Sequence, residues 1–232
     1  MWTISKIRNH IAKLSNDAFF TTREMLGHGE RSSVDWALWE MVRTGEIIRL
    51  AWGVFVKSSH PAPEAITERE VAAVKAAAFG KRLMSDGADV ACSQGLPAQP
   101  NGVATYQTDG RSTKFRCVLR ETWVIFKGTS ARKMRLGDEK IGAVIRGLWQ
   151  LTEKACKIET ARKVLWKMNR TEREEFELST RWMPSWLSDS FNFQYLLRPN
   201  YRAPSGNQTV REAHEADVRY LVSPPPLLRL NC

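Results

Sequence analysis

Residues 31–57 read RSSVDWALWEMVRTGEIIRLAWGVFVK, and the hydrophobic period changes partway through the segment. Val34, Ala37, Leu38, Met41 and Val42 recur at helical spacing, so they line one face of a helix over about 33–44, with Ser32 or Ser33 as its cap. Gly45 supplies the stop. Beyond it, Ile47-Ile48-Arg49-Leu50 and Val54-Phe55-Val56-Lys57 read as two short strands joined by a turn at Ala51-Trp52-Gly53. An amphipathic helix followed at once by a hairpin leaves few folds open, because both elements must bury their apolar faces in one small core.

The upstream sequence narrows the choice. Ile4, Ile7, Ile11 and Leu14 predict a first helix over about 2–15. Thr21 or Thr22 can cap a short second helix, ended by the glycines of Gly27-His28-Gly29. Three helices and a hairpin in this order match a winged helix-turn-helix, in which the third helix enters the DNA major groove and the hairpin lies along the backbone or minor groove. The face of the third helix turned away from the core would carry Arg31, Ser32, Ser33, Trp36, Trp39 and Arg43, together with Asp35 and Glu40. Arginine can read guanine through two hydrogen bonds, and serine hydroxyls near a helix N-terminus suit phosphates. Arg49, Trp52 and Lys57 fall on the hairpin side. A structural reading stands beside this one: Trp36 and Trp39 pack against the first helix or the second domain, and Arg43 complements the helix C-terminus.

Residues 58–66, SSHPAPEAI, read as a linker. The chain therefore divides into a winged helix-turn-helix at 1–57, the linker, an α+β domain at 67–198 and a Pro-rich tail at 199–232. Thr67 and Glu70 have capping-box spacing and open an Ala- and Val-rich helix to about Phe79. A short apolar segment follows around 90–96. VATYQT, Asp-Gly and RSTKFRCV then predict a hairpin, because Asp-Gly tolerates the positive φ angles of a type I′ turn. TWVIFKGT would extend it to a small antiparallel meander with flanking helices. Ile141, Val144, Ile145, Leu148 and Trp149 mark one of these helices. Two more are expected near 159–168 and 172–182, the second opened by a capping box at Thr171 and Glu174. Trp166, Trp182, Trp186, Phe191, Phe193 and Tyr195 are read as core residues of this domain, or as a partner surface wherever they are exposed.

A net charge of +10 favours a polyanionic partner. Its distribution is uneven. Residues 1–60 hold eight Lys and Arg against six Asp and Glu, whereas 61–157 hold sixteen against ten. Lys127, Arg132, Lys133 and Arg135 form a basic run that can grip DNA backbone without reading bases, or meet an acidic protein. Cys92, Cys117, Cys156 and Cys232 are far apart and lack zinc spacing, which fits free thiols in a reducing cytoplasm. His10, His28, His60 and His214 sit in no metal-ligand pattern, and neither a phosphate loop nor a nucleophile elbow is present. Neither enzymatic activity nor a cofactor is therefore expected. The opening MWTISKIRNHIAKL is charged throughout, unlike a signal peptide, and no apolar run is long enough for a membrane span.

The stretch FFTTREMLGHGERSSVDWALWEMVRTGEIIRLAWGVFVK resembles the N-terminal winged helix of AbiEi-type antitoxins and the related DUF6088 regulators. The positions that carry the resemblance are Arg31, Val34, Ala37, Leu38, Met41, Val42, Gly45, Ile47, Arg49, Leu50, Gly53 and Phe55. The sequence GVATYQTDGRSTKF, with WVIFKGTSARKMRLGDEKIGAVIRGLWQL after it, is similar to the second domain of that family. The likeness covers about residues 5–155. It departs at Glu30, where the family usually has Ser, at Met41 for Leu and at Phe55 for Tyr. The resemblance implies a repressor that binds inverted repeats in double-stranded DNA at its own promoter, in a type IV toxin–antitoxin operon on a mobile element such as a plasmid. Antitoxin activity would reside in the second domain. The Trp-rich region from 149 to 195 lies mostly outside the match. It leaves room for a different role: a protein-binding inhibitor, for example a fertility-inhibition factor acting on a rival element's conjugation machinery.

Overall fold

A computed structural model describes residues 2–151, 153, 156 and 158–191. The expected tail at 199–232, Phe193, Tyr195, His214 and Cys232 lie outside the described residues. The chain is α+β. In order, it forms α1 (Thr3–Lys13), β1 (Phe19–Thr21), α2 (Thr22–Met25), α3 (Arg31–Arg43), β2 (Ile47–Ala51), β3 (Val54–Lys57), α4 (Glu68–Ala78), β4 (Leu83–Ser85) and α5 (Gly87–Ser93). It continues with β5 (Ala104–Asp109), β6 (Thr113–Cys117), β7 (Thr122–Thr129), α6 (Ala131–Met134), α7 (Lys140–Gln150), α8 (Ile158–Trp166), α9 (Arg170–Ser179) and α10 (Ser185–Ser190). Contacts divide it into two compact units. Among the described residues, the first comprises 2–86 and 101–134, so residues 58–66 lie within it; the second comprises 87–100 and those from 135 to 191.

In the first unit, α1, α3 and the strands enclose a core of Ile7, Ile11, Phe20, Met25, Val34, Ala37, Leu38, Met41, Ile47 and Phe55. The helical period of α3 is met as expected: Val34, Ala37, Leu38 and Met41 are buried, and Val42 packs at the edge. Its start differs from expectation. The helix begins at Arg31 with Glu30 as N-cap and no side-chain cap, so Ser32 and Ser33 lie in the first turn. Thr21 caps α2 through a reciprocal box with Glu24, and Thr67 caps α4 in the same way with Glu70.

The seven strands among the described residues join one curled mixed sheet, in the order β1-β3-β2-β6-β7-β5-β4. The expected small antiparallel sheet is corrected here: β5 and β7 are parallel. The Asp-Gly dipeptide also does not close a hairpin, because β7 inserts between β5 and β6. Asp109 instead directs its carboxylate to Arg82, accepting from the backbone N–H at 2.8 Å and from Nε at 3.3 Å. The connection then crosses the end of β7, where Gly128 donates its N–H to Ser112 Oγ at 2.9 Å. A Cβ at Gly128 would stand 2.1 Å from the Gly110 carbonyl oxygen, so this crossing requires glycine.

The register of β2 on β3 shifts between Arg49 and Ala51, a bulge. Beside it, the Leu50 carbonyl accepts from Val118 N at 2.7 Å, and Ala51 pairs with Cys117, which ties the hairpin to β6. The second sheet core includes Leu50, Val54, Val56, Val71, Ala72, Phe115, Val124 and Phe126.

In the second unit, α5, α7, α8, α9 and α10 surround Ile141, Ile145, Leu148, Leu165, Phe176, Leu187 and Phe191. The box that opens α9 lies two residues before the expected Thr171–Glu174 pair. Asn169 caps the helix and Glu172 returns the bond, while Glu174 pairs with Arg170. Arg146 is fully buried on α7. Its Nε donates to the Gly137 carbonyl at 3.0 Å, and its Nη2 pairs with Asp138.

Candidate nucleic-acid interface

The expected contact residues on α3 share an exposed surface. Arg31, Ser32 and Ser33 occupy its first turn and are exposed. Because no side chain caps the helix, the first-turn amides and both hydroxyls are available to an anion, where the helix dipole also favours negative charge. Trp36 and Trp39 are 57% and 50% exposed, so neither is internal packing. Each arginine on this face already has an acidic partner. Arg31 Nε donates to Asp35 Oδ2 at 2.8 Å. Arg43 makes two hydrogen bonds to Glu40, at 2.9 and 2.6 Å, and lies over the Trp39 ring at 5.6 Å. The Arg43 hydrogen bond holds the Glu40 carboxyl below its ordinary pKa. This face therefore combines aromatic surface with cations that must exchange partners before they bind anything else.

The hairpin turn contains Trp52 and Gly53. Gly53 has φ +81°, a left-handed value that glycine adopts freely. Its carbonyl accepts from Thr22 N at 3.1 Å, which pins the turn to the start of α2. Trp52 projects 70% exposed. Arg49 stacks over the Trp52 ring at 4.8 Å and over Phe55 at 5.5 Å, and its buried Nε has no hydrogen-bond partner among the described residues. Lys57 faces elsewhere: its Nζ donates to the Leu14 and Ala12 carbonyls at 2.5 and 3.4 Å, neutralising the C-terminal end of α1.

The basic run does not form one patch within a unit. Lys127 lies 3.6 Å from the buried Asp86, whose carboxylate also accepts from Asn101 and Gln107, so this lysine is the counter-ion of an internal carboxylate. Arg132 and Lys133 lie on α6, the first exposed and the second half-buried, and both are already engaged in interactions. Arg135 belongs to the second unit, over the Trp182 ring at 4.6 Å. Of the aromatic set expected to be core or partner surface, Phe191 is buried, Trp182 and Trp186 are partly buried and Trp166 is 71% exposed.

Three side chains that sequence reasoning did not select border the same surface. Arg23, Lys75 and Phe79 line a cleft with Arg31, Trp39, Arg49 and Trp52. Lys75 Nζ donates to the Trp52 carbonyl at 2.5 Å, and burial lowers its pKa. Its one sequence signal is a lone cation in the run VAAVKAAAF. Among the described residues, no group of three or more His, Cys, Asp or Glu is placed to hold a metal, and no helix is long and apolar enough to cross a membrane. Cys92, Cys117 and Cys156 are free, and burial pushes the Cys156 thiol up to about 11.

Residues 6–176 match a protein family described as "Family of unknown function (DUF6088)". No curated protein and no solved structure matches the chain.

Proposed function

Because the chain belongs to the DUF6088 family, whose description assigns no function, we propose a function from the geometry of its own surface. The protein is a cytoplasmic, non-enzymatic, sequence-specific DNA-binding repressor, antitoxin-like in type, that regulates its own mobile-element operon. Residues 1–57 act as a winged helix-turn-helix. The observation that carries this reading is the start of α3: an uncapped helix N-terminus presenting Arg31, Ser32 and Ser33, with the exposed Trp36 and Trp39 beyond it. Such a terminus supplies phosphate-binding amides, and the side chains behind it supply base contacts. Trp52 and Arg49 approach the backbone or minor groove from the hairpin. Lys57 drops out of the contact set, since α1 already occupies it. Two copies of the chain would match an inverted repeat.

The test is binding of the purified protein to its own upstream DNA against a scrambled duplex, across a salt series. The reading expects a preference for the upstream duplex of about a thousandfold or more. Equal, salt-labile affinity for both duplexes would refute it.

A second reading has its own support. Trp166 and Leu178 of the second unit are 71% and 70% exposed, which suits a protein partner such as an operon toxin or a conjugation protein. It expects inhibition of that partner to survive Arg31→Ala and Trp36→Ala and to be lost with Trp166→Ala. The opposite pattern would exclude it.

A further inference from the structure

The first unit contains a cleft of about 680 Å³ between α2, α3, the β2–β3 turn and the end of α4. That volume lies within the roughly 300–1,000 Å³ typical of small-molecule sites. We propose that this cleft binds a nucleotide unit, a planar aromatic base carrying phosphate.

The charge of the lining selects an anion. Arg23, Arg31, Arg49 and Lys75 line the cleft, against the single carboxylate of Asp35, which Arg31 already engages. Arg49 lines the cleft, its Nε has no hydrogen-bond partner among the described residues, and its guanidinium offers a donor fork suited to an anionic oxygen. Lys75 is half-buried and spends one of its donors on the Trp52 carbonyl, leaving others for a ligand. The aromatic lining selects a flat ring. Trp39, Trp52 and Phe79 are 50%, 70% and 59% exposed, an unusual exposure for large apolar side chains on one cleft. A simple inorganic anion would leave these rings uncovered, and a neutral aromatic would leave the cations unanswered. A phosphorylated base satisfies both, by stacking and by charge-assisted hydrogen bonds.

The ligand has two sources, a free nucleotide or a base unstacked from a strand. The cleft shares Arg31, Trp39, Arg49 and Trp52 with the proposed duplex-contacting surface, but the inference does not depend on duplex binding, and its test uses no duplex. Full-length protein is titrated calorimetrically with adenosine monophosphate, with a six-residue oligothymidylate, and with adenosine and inorganic phosphate as partial ligands. The same titrations use Trp52→Ala, at an exposed turn, and Lys75→Met, each first checked for native circular dichroism. The expected result is binding of the mononucleotide or the oligonucleotide at about 100 µM or tighter. Each variant should weaken that binding about tenfold or more, and both partial ligands should bind far more weakly. Mononucleotide binding identifies a soluble effector. Binding of the oligonucleotide alone identifies an unstacked base. No binding of either probe at about 1 mM, or binding that both variants leave unchanged, overturns the proposal.

Discussion

Arg31 is the first residue of α3, and its Nε donates to Asp35 Oδ2 at 2.8 Å, one turn along, with the two side chains 69% and 50% exposed. To engage DNA, the guanidinium must release that partner. An ion pair this exposed contributes only about 0.2–1 kcal/mol, because water screens it and two long side chains lose freedom in making it. A bidentate arginine–guanine contact contributes about 1–3 kcal/mol of discrimination. On the proposed reading, the exchange therefore favours DNA. Arg31→Ala should weaken binding to the upstream duplex by about 1–3 kcal/mol, or roughly five- to 150-fold. Asp35→Asn should act in the opposite direction. It replaces the charged acceptor with a weaker neutral one and removes a negative charge near the phosphates, so affinity should rise by up to about 1 kcal/mol, roughly fivefold. In the double variant, the part of that gain transmitted through Arg31 disappears. Fluorescence anisotropy on labelled upstream and scrambled duplexes, at several salt concentrations, separates the two roles open to Arg31. A base contact lowers affinity for the upstream duplex alone. A phosphate contact lowers both and reduces the salt slope by about 0.9. Unchanged affinity in Arg31→Ala, or weaker binding in Asp35→Asn, would refute the reasoning.

Asp138→Ala removes the carboxylate partner of the fully buried Arg146 guanidinium, and breaking a buried pair in this way costs about 3–5 kcal/mol. Urea denaturation followed in the second unit checks this, and a loss below about 1 kcal/mol would contradict it. Gly128→Ala drives a Cβ to within 2.1 Å of the Gly110 carbonyl oxygen, so the 110–112 connection must shift. The expected loss of about 1–3 kcal/mol would appear as a lower Tm, and an unchanged Tm would count against the crossing geometry. Glu46 and Glu172 have carboxyls held below their ordinary pKa, chiefly by hydrogen bonds from Arg8 and Lys140. Folding thus favours their charged forms. The stability they contribute is complete above the ordinary carboxylate range and is lost as pH falls through the lowered values. Melting curves across that acid range should be less pH-dependent in Arg8→Ala and Lys140→Ala than in the parent.

The elements legible in the sequence are those held by local rules. The periodicity of α1, α3 and α7 and the caps at Thr21 and Thr67 all reappear, because each depends on residues within a few turns of one another. The errors arise where distant residues decide. Asp109-Gly110 is a sound local hairpin signal, yet Arg82, 27 positions away, holds the aspartate while β7 takes the central place between β5 and β6. Glu30 became the cap of α3 although Ser32 and Ser33 are better capping residues, so the helix begins before the propensity signal. The candidate surface was legible on α3 and the hairpin turn. The wall of the cleft formed by Lys75 and Phe79 was not, because α4 reaches that site only through tertiary packing.

That packing bears on how the hairpin can function. In the proposed winged helix-turn-helix, the β2–β3 hairpin would be the wing. Here β2 lies inside the sheet between β3 and β6, and β6 holds it through the Leu50 carbonyl and the Ala51–Cys117 pair. Lys75 of α4 holds the turn itself through the Trp52 carbonyl. Leu50, Val54 and Val56 share their core with Val71, Phe115 and Val124. The orientation of Trp52 and Arg49 is thus set by residues well beyond position 57. A ligand in the cleft that moved Lys75 or Trp52 would act directly on the turn of the hairpin proposed to contact DNA. Coupling between the two proposed sites needs no relay across the molecule, because the turn belongs to both.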